Sequence, residues 1–330
     1  MQLGLIGAGR IGAVHLGTLS DMGSVEAVFV SDAVPDRAAA LAAGHEVATA
    51  STLEAMFEAA DAVIIASPTD THAAMLERAA VAGIPAFCEK PIALDLESTR
   101  RAVAAVDDAG IVVQMGFQRR YDPAIKKIRD QVVSGDLGTV YLVRSQTHDH
   151  EPPPLDYLRV SGGIFKDCLV HDIDTVRYVT GQEVVSVRAA GTVVAVPEIG
   201  ALGDVDTAAV VMEMSGGSLA QLSALRHDPL GYDVRLEVFG ARDSVAAGWS
   251  ARTPIRSAEP DTPAEQDPIT TWLERFGAAF RAELDAFVRV VAGDESPAST
   301  AHDAYEDLRV ATACDISLAE NRTVLLEEIA

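Results

Sequence analysis

At 330 residues, the chain is longer than one ordinary hydrophobic core supports and suits two domains of usual size. A composition that is 48% hydrophobic and 23% charged is that of a globular protein, and no apolar run reaches the roughly 18–20 residues of a membrane span. The formal net charge of −23, from 49 acidic against 26 basic residues, excludes the clustered cations that nucleic acid or an anionic membrane would need.

A strand-like run, Gln2-Leu3-Gly4-Leu5-Ile6, begins at once and leaves no room for a signal peptide ahead of it. The three cysteines, Cys88, Cys168 and Cys314, are widely spaced and form no CxxC pair. They argue against a disulfide framework or a structural zinc and for a reducing cytoplasm.

Residues 2–118 alternate strands (2–6, 25–31, 62–66, 84–88, 111–115) with helices (10–21, 35–43, 51–59, 70–82, 95–109), the pattern of a parallel sheet covered on both faces. Ser51 with Glu54 has capping-box spacing, and Gly83 and Gly110 stand where helices should stop. After Tyr121 a helix (123–134) leads to a strand (139–146), a Pro-rich loop and a helix (163–179) ended by Gly181. Four or five consecutive strands between 183 and 247 then imply an antiparallel or mixed sheet. Residues 250–268 read as a surface loop, and helices over 270–292 and 301–320 close the chain. The expected boundary divides residues 1–120 from 121–330.

Gly7-Ala8-Gly9-Arg10-Ile11-Gly12 is a GxGxxG between a strand and a helix, with Asp32 following 20 positions after Gly12 at the end of the second strand. The glycines allow a tight turn, close approach of backbone to a pyrophosphate, and tight helix–strand packing, so Gly7, Gly9, Arg10, Ile11 and Gly12 are assigned to a dinucleotide. The Asp32 carboxylate suits ribose hydroxyls and repels a 2′-phosphate, which favours NAD over NADP; Arg37 reads as a solvated helix residue. Ser67-Pro68-Thr69 ends the strand at 62–66, where an open parallel sheet meets its ligand. His72 follows, either beside the cofactor or idle behind an N-cap by Thr69 or Asp70. Glu89-Lys90-Pro91 stands at another carboxyl edge, where the Lys90 ammonium can meet an oxygen that gains charge during hydride transfer.

Asp167 and His171, four apart, share one helical face. A neutral histidine is the natural base for an alcohol proton, and a carboxylate nearby can orient it. By spacing alone, a helix-terminal aspartate and a core histidine explain the pair as well. His148 and His150 form an HxH that puts both rings on one strand face; hydroxyl binding or solvation is preferred there to a metal, and none is assigned.

Four segments in order, Gly4-Leu-Ile-Gly-Ala-Gly-Arg-Ile-Gly12, Cys88-Glu-Lys-Pro-Ile92, Gly116-Phe-Gln-Arg-Arg-Tyr-Asp-Pro123 and Gly162-Gly-Ile-Phe-Lys-Asp-Cys-Leu-Val-His-Asp-Ile-Asp174, resemble one family. It is that of glucose–fructose oxidoreductase, inositol dehydrogenase and the rhizopine-catabolism proteins (Gfo/Idh/MocA), and the stretch Gly231–Gly240 fits it too. The Pro152-Pro153-Pro154-Leu155-Asp156-Tyr157 segment is most similar to inositol 2-dehydrogenases. The resemblance implies an α/β protein, an N-terminal Rossmann domain followed by an α/β domain with a large open, mainly antiparallel sheet that often builds dimers or tetramers. It further implies NAD-dependent oxidation of a ring hydroxyl of a polyol or sugar, myo- or scyllo-inositol foremost, with other sugar dehydrogenases or a non-catalytic NAD-binding regulator as alternatives.

Carried over by motif, Lys90, Asp167 and His171 match the catalytic lysine and the DxxxH pair. Glu89, Lys90 and Gln118 would join the cofactor set. Lys90, Gln118, Arg119, His148, Tyr157, Asp167, Cys168, His171 and Tyr232 would line the substrate.

Overall fold

The computed structural model describes residues 1–259 and 266–329. Part of the loop expected over 250–268 therefore lies outside the described residues. The chain forms two compact units, residues 1–118 with 278–306 and residues 119–277 with 307–330. Neither follows a single cut at 120.

In the first unit, the strands β1 (Gln2–Ile6), β2 (Ala27–Ser31), β3 (Ala48–Thr49), β4 (Ala62–Ile65), β5 (Ala86–Glu89) and β6 (Val113–Gly116) make one parallel sheet in the order β3-β2-β1-β4-β5-β6. Helices α1 (Arg10–Ser20), α2 (Pro35–Gly44), α3 (Leu53–Ala59), α4 (Thr69–Ala82) and α5 (Leu96–Ala109) connect them. β4, β5 and β6 are buried throughout, as strands covered on both faces must be. Gly83 and Gly110 take left-handed conformations and close α4 and α5. The cap of α3 is Thr52 rather than Ser51: its hydroxyl accepts the Ala55 N–H at 3.1 Å. The two-residue β3 is too short to carry a periodic signal.

Residues 278–306 join this unit because they complete its core. Leu284, Phe287 and Val288 are buried with Leu3, Leu5, Val28, Val30, Ile64 and Phe87. Backbone pairing adds to that: Ser299 accepts the Met115 N–H and returns its hydroxyl to the Met115 carbonyl at 2.6 Å.

In the second unit, β7 (Val140–His148), β8 (Val184–Thr192), β9 (Thr207–Met214), β10 (Leu219–Leu225), β11 (Asp233–Gly240), β12 (Ser244–Ala247) and β13 (Val324–Leu325) form a sheet in the order β12-β11-β7-β10-β9-β8-β13. Only β7 and β10 pair in parallel; the other neighbours are antiparallel. Alternation along β7 buries Val143, Ser145 and Thr147 and leaves Arg144 exposed between them, so one face is core and the other open.

The remaining helices of the chain are α6 (Pro123–Val133), the single turns α7 (Leu155–Leu158) and α9 (Pro197–Gly200), α8 (Val170–Thr180), α10 (Trp272–Ala292) and α11 (Ala301–Glu320). The helix expected over 163–179 is instead one wide π-type turn, Phe165–Leu169, running into α8. α8 is buried on nearly every side, at Val170, Asp172 to Arg177 and Val179. Its charges are satisfied inside the unit. Arg120 donates to Asp174 through Nε at 2.9 Å, and Arg177 donates to Asp307 at 2.7 Å and to Glu183 at 2.7 Å.

Candidate active site

The sheet of the first unit gathers its ligand-facing residues at one edge. Since β1, β2, β4, β5 and β6 run parallel, their carboxyl ends deliver the glycine loop, Asp32, Ser67, Lys90 and Gln118 to the same side. Register agrees, with Ile6 opposite Ser31 and Ile65, Ile65 opposite Cys88, and Glu89 opposite Gly116.

The three glycines of the loop have three different jobs. Gly7 has φ +110° and its Cβ position lies 2.5 Å from the Ala66 backbone; at Gly12 a Cβ would stand 2.1 Å from the Gly7 carbonyl oxygen. Both positions are closed by packing. Gly9 is the reverse, because a Cβ there meets nothing within 4 Å. It is also the N-cap of α1, and no side chain caps that helix. An open cradle at an uncapped helix N-terminus fits a pyrophosphate, whose oxygens would take the first-turn N–H groups.

Asp32 is fixed at the end of β2, one oxygen accepting the Ala8 N–H at 2.8 Å and the other the Val34 N–H at 2.8 Å. The carboxylate so held presents its remaining lone pairs as acceptors, suited to ribose hydroxyls and repulsive to a phosphate. Gly12→Ala is expected to separate α1 from the Gly7 turn and weaken NAD binding at least about tenfold, a loss of about 1.4 kcal/mol, read by fluorescence titration. Unchanged affinity would show that the loop does not hold the cofactor.

The loop after β4 is built differently from the cap expected there. The N-cap of α4 is Pro68, which offers no side-chain acceptor, and the Ser67 and Thr71 hydroxyls pair at 2.6 Å. Thr69 and Asp70 do not cap the helix. His72 is 2% exposed, with both ring nitrogens against backbone carbonyls: Nδ1 is 2.8 Å from the Pro91 oxygen and Nε2 2.7 Å from the Ser67 oxygen. That corrects its expected contact with cofactor, since neither nitrogen is left for a ligand. Glu89 is likewise turned inward, with Oε1 2.7 Å from His15 Nε2. Lys90 is half-buried at the exit of β5, and Gln118 is buried in the short turn Gln118–Tyr121.

In the second unit, the Gly162–Gly163 pair, with φ of +86° and +87°, lets the chain enter the wide turn that carries Asp167. One Asp167 oxygen accepts the Tyr157 hydroxyl at 2.6 Å, and the other accepts Arg226 Nη1 at 2.8 Å. The same Nη1 lies 3.6 Å from Asp149. Arg226 is 1% exposed, so Asp167 has a desolvated cation beside it. Nothing in the sequence marked Arg226, which follows β10 in a polar Arg-His-Asp run that reads as surface.

His171 follows Asp167 by four residues and is half-buried at the start of α8. Its neighbour Asp172 anchors that turn, accepting Arg119 Nη1 at 3.0 Å, Ser145 Oγ at 2.5 Å and Thr147 Oγ1 at 2.6 Å. Arg119, expected at the substrate, is 1% exposed, and its second terminal nitrogen donates to Thr147 at 2.5 Å. It holds the helix rather than presenting a donor outward.

Cys168 is buried and desolvation pushes its thiol well above the usual range; burial also raises the Tyr232 phenol. Both groups stay neutral around pH 7. His148 faces Ser223 Oγ at 3.1 Å, and burial pushes its pKa down despite the carboxylates of Asp233 and Asp228 nearby. The HxH rings do not converge, since His150 Nδ1 lies 3.1 Å from the Asp228 carbonyl oxygen. His148, Asp228 and Asp233 do place ligand atoms within 4.8 Å of one another. Arg235 neutralises Asp233 in that group, donating to it at 2.8 Å, which leaves a poor donor set for a cation.

The glycine cradle and the ribose-type carboxylate of the first unit define a dinucleotide-binding protein. The family model for the oxidoreductase family with NAD-binding Rossmann fold matches residues 1–117, and that for the GFO/IDH/MocA C-terminal domain matches residues 125–246. The chain belongs to the GFO/IDH/MocA oxidoreductase family. It is 37% identical to inositol 2-dehydrogenase of Rhizobium meliloti over 98% of each chain. The structure of a myo-inositol dehydrogenase from Corynebacterium glutamicum superposes with a TM-score of 0.91 at 34% identity, over 99% of this chain and 98% of that one. That of scyllo-inositol dehydrogenase from Lactobacillus casei with NAD(H) and scyllo-inositol gives 0.89 at 26% identity over 99% of each. Among the described residues, no helix is long and apolar enough to cross a membrane.

Proposed function

We propose that this protein oxidises a secondary ring hydroxyl of an inositol to the ketone, with NAD as hydride acceptor. The observation that carries the reading is Asp167, held in place by Tyr157 and Arg226 and set four residues before a half-buried histidine on one continuous helical stretch. The relatives named above act on inositols, which supports the substrate class.

Bound NAD supplies the electrophilic nicotinamide carbon that accepts the hydride from the carbinol carbon. His171 takes the hydroxyl proton as that hydride leaves, so that alcohol and oxidised cofactor give ketone, reduced cofactor and a proton held on the imidazole. Lys90 stabilises the charge that gathers on the oxygen. Asp167 accepts a hydrogen bond from a neighbouring hydroxyl and favours the charged form of His171. Gln118, His148, Tyr157, Cys168 and Tyr232 are assigned to the remaining hydroxyl-bearing rim, and Arg119 to holding Asp172. Asp32 selects NAD over NADP. Three buried, free cysteines fit a reducing cytoplasm, and the exposed Val211 and Leu219 on the open sheet face fit a homo-oligomer.

The test is NADH formation from a panel of inositol isomers, glucose, galactose and 1,5-anhydro sugars. Turnover is expected with myo- or scyllo-inositol. Turnover confined to a pyranose would move the substrate to another sugar, and none with any polyol would remove the reading.

A further inference from the structure

Two buried histidines have no part in the chemistry proposed above, and both end on the segment that carries Lys90. His72, in the first turn of α4, spans the carbonyls of Ser67 and Pro91 with its two nitrogens. A carbonyl oxygen only accepts, so a neutral ring donates in one of these bonds and a protonated ring in both; with Nδ1 protonated it donates to Pro91, the residue that follows Lys90. His15, in α1 and fully buried, places Nε2 2.7 Å from Glu89 Oε1, the residue that precedes Lys90. Its ring stands edge-on to Phe87, centroids 5.3 Å apart, so it cannot swing away. Glu89 has room on its other side only because residue 116 is a glycine: a Cβ there would stand 2.8 Å from Oε2.

We infer that His72 and His15 are positioning residues for Lys90. The lysine side chain is long and rich in rotamers, and its ammonium acts on the reacting oxygen only if its backbone is placed closely. A displacement of about 1 Å at a reacting centre is enough to lower a rate about a hundredfold. Glu89 is tied through its carboxylate and Pro91 through its carbonyl, so Lys90 is held on both sides. The two grips come from α1, which begins at the glycine loop, and from α4, which begins at Ser67-Pro68. The peptide bearing the ammonium is thereby fixed to the same two loops that the cofactor is proposed to occupy. The inference rests on the reading of Lys90 as the group that stabilises the developing alkoxide.

The test is a double-mutant cycle on the full-length enzyme with NAD and the best inositol substrate, using Lys90→Met, His72→Ala, their combination, and His72→Gln. His72→Ala is expected to lower kcat about 10–100-fold with the Kd for NAD within about twofold. His72→Gln, whose amide can still donate to one carbonyl, should recover part of that loss. In the Lys90→Met background, His72→Ala should change the residual rate less than about twofold, because the group it positions is gone. A purely structural histidine would instead lower the rate by the same factor in both backgrounds, which would overturn the inference. So would weaker NAD binding with kcat unchanged. Should His72→Ala fail to fold, His15→Gln enters the same cycle under the same criterion. Wild-type kcat in Lys90→Met alone would remove the reading of Lys90, and the inference with it.

Discussion

His171→Ala is expected to lower kcat by at least about a hundredfold while leaving the Kd for NAD within about twofold. The side chain sits in the second unit on α8, whereas the glycine loop and Asp32 belong to the first, so its removal takes away the proton acceptor and none of the cradle. Proton transfer is general-base chemistry: without the imidazole, the ascending limb of kcat against pH that such a base produces should disappear. Asp167 should keep its place, because Tyr157 and Arg226 hold it independently of His171. Turnover near that of wild type would place the base on another residue. A loss of NAD affinity equal to the loss of kcat would mean that the substitution had disturbed the fold.

Arg177→Met should be the most destabilising single change among the buried ion pairs, lowering stability by about 3–5 kcal/mol. Arg177 crosses from α8 to the fully buried Asp307 of α11 at 2.7 Å and holds the more exposed Glu183 at the same distance. Removing the guanidinium leaves the buried Asp307, whose carboxyl pKa burial already pushes up, without its nearest cation, so that its charge is uncompensated or neutralised at a cost. If that uncompensated charge is the cause, Arg177→Met combined with Asp307→Leu should recover most of the lost stability, because an apolar pair of similar volume is tolerated where a lone ion is not. Chemical denaturation checks both variants. A double variant as unstable as the sum of its parts would show that the site depends on packing of the arginine stem instead.

The first unit was legible because its signals are local. Five of its six strands are short apolar runs, α4 and α5 have glycine stops, and the glycine loop with Asp32 lies within one βαβ segment, so spacing along the chain maps directly onto spacing in the fold. The part that was not legible is the return of residues 278–306 to that unit. An amphipathic helix announces which face is apolar and not which core it enters, and α10 spans the division between the units.

The second unit divides in the same way. Alternation led to four or five strands between 183 and 247, where the structure has five, and the Asp167–His171 spacing suggested a shared helical face. The wide turn at Phe165–Leu169 did not follow, since a change in hydrogen-bond register leaves no mark on composition. Nor did Arg226, which reaches Asp167 across 59 positions of sequence.

Sequence alone determined the parallel sheet and the glycine loop that follows its first strand, and marked the three residues proposed to react, because these depend on periodicity and on short motifs. Only the tertiary structure decided what those residues touch. His72 and Glu89 proved to be turned inward against Pro91 and His15, Arg119 to be bound to Asp172, and Asp167 to be locked by Tyr157 and Arg226. A polar side chain in a sequence looks the same whether it faces a ligand or satisfies a buried carbonyl. The difference lies in hydrogen-bond partners brought from distant segments, and burial makes those partners obligatory.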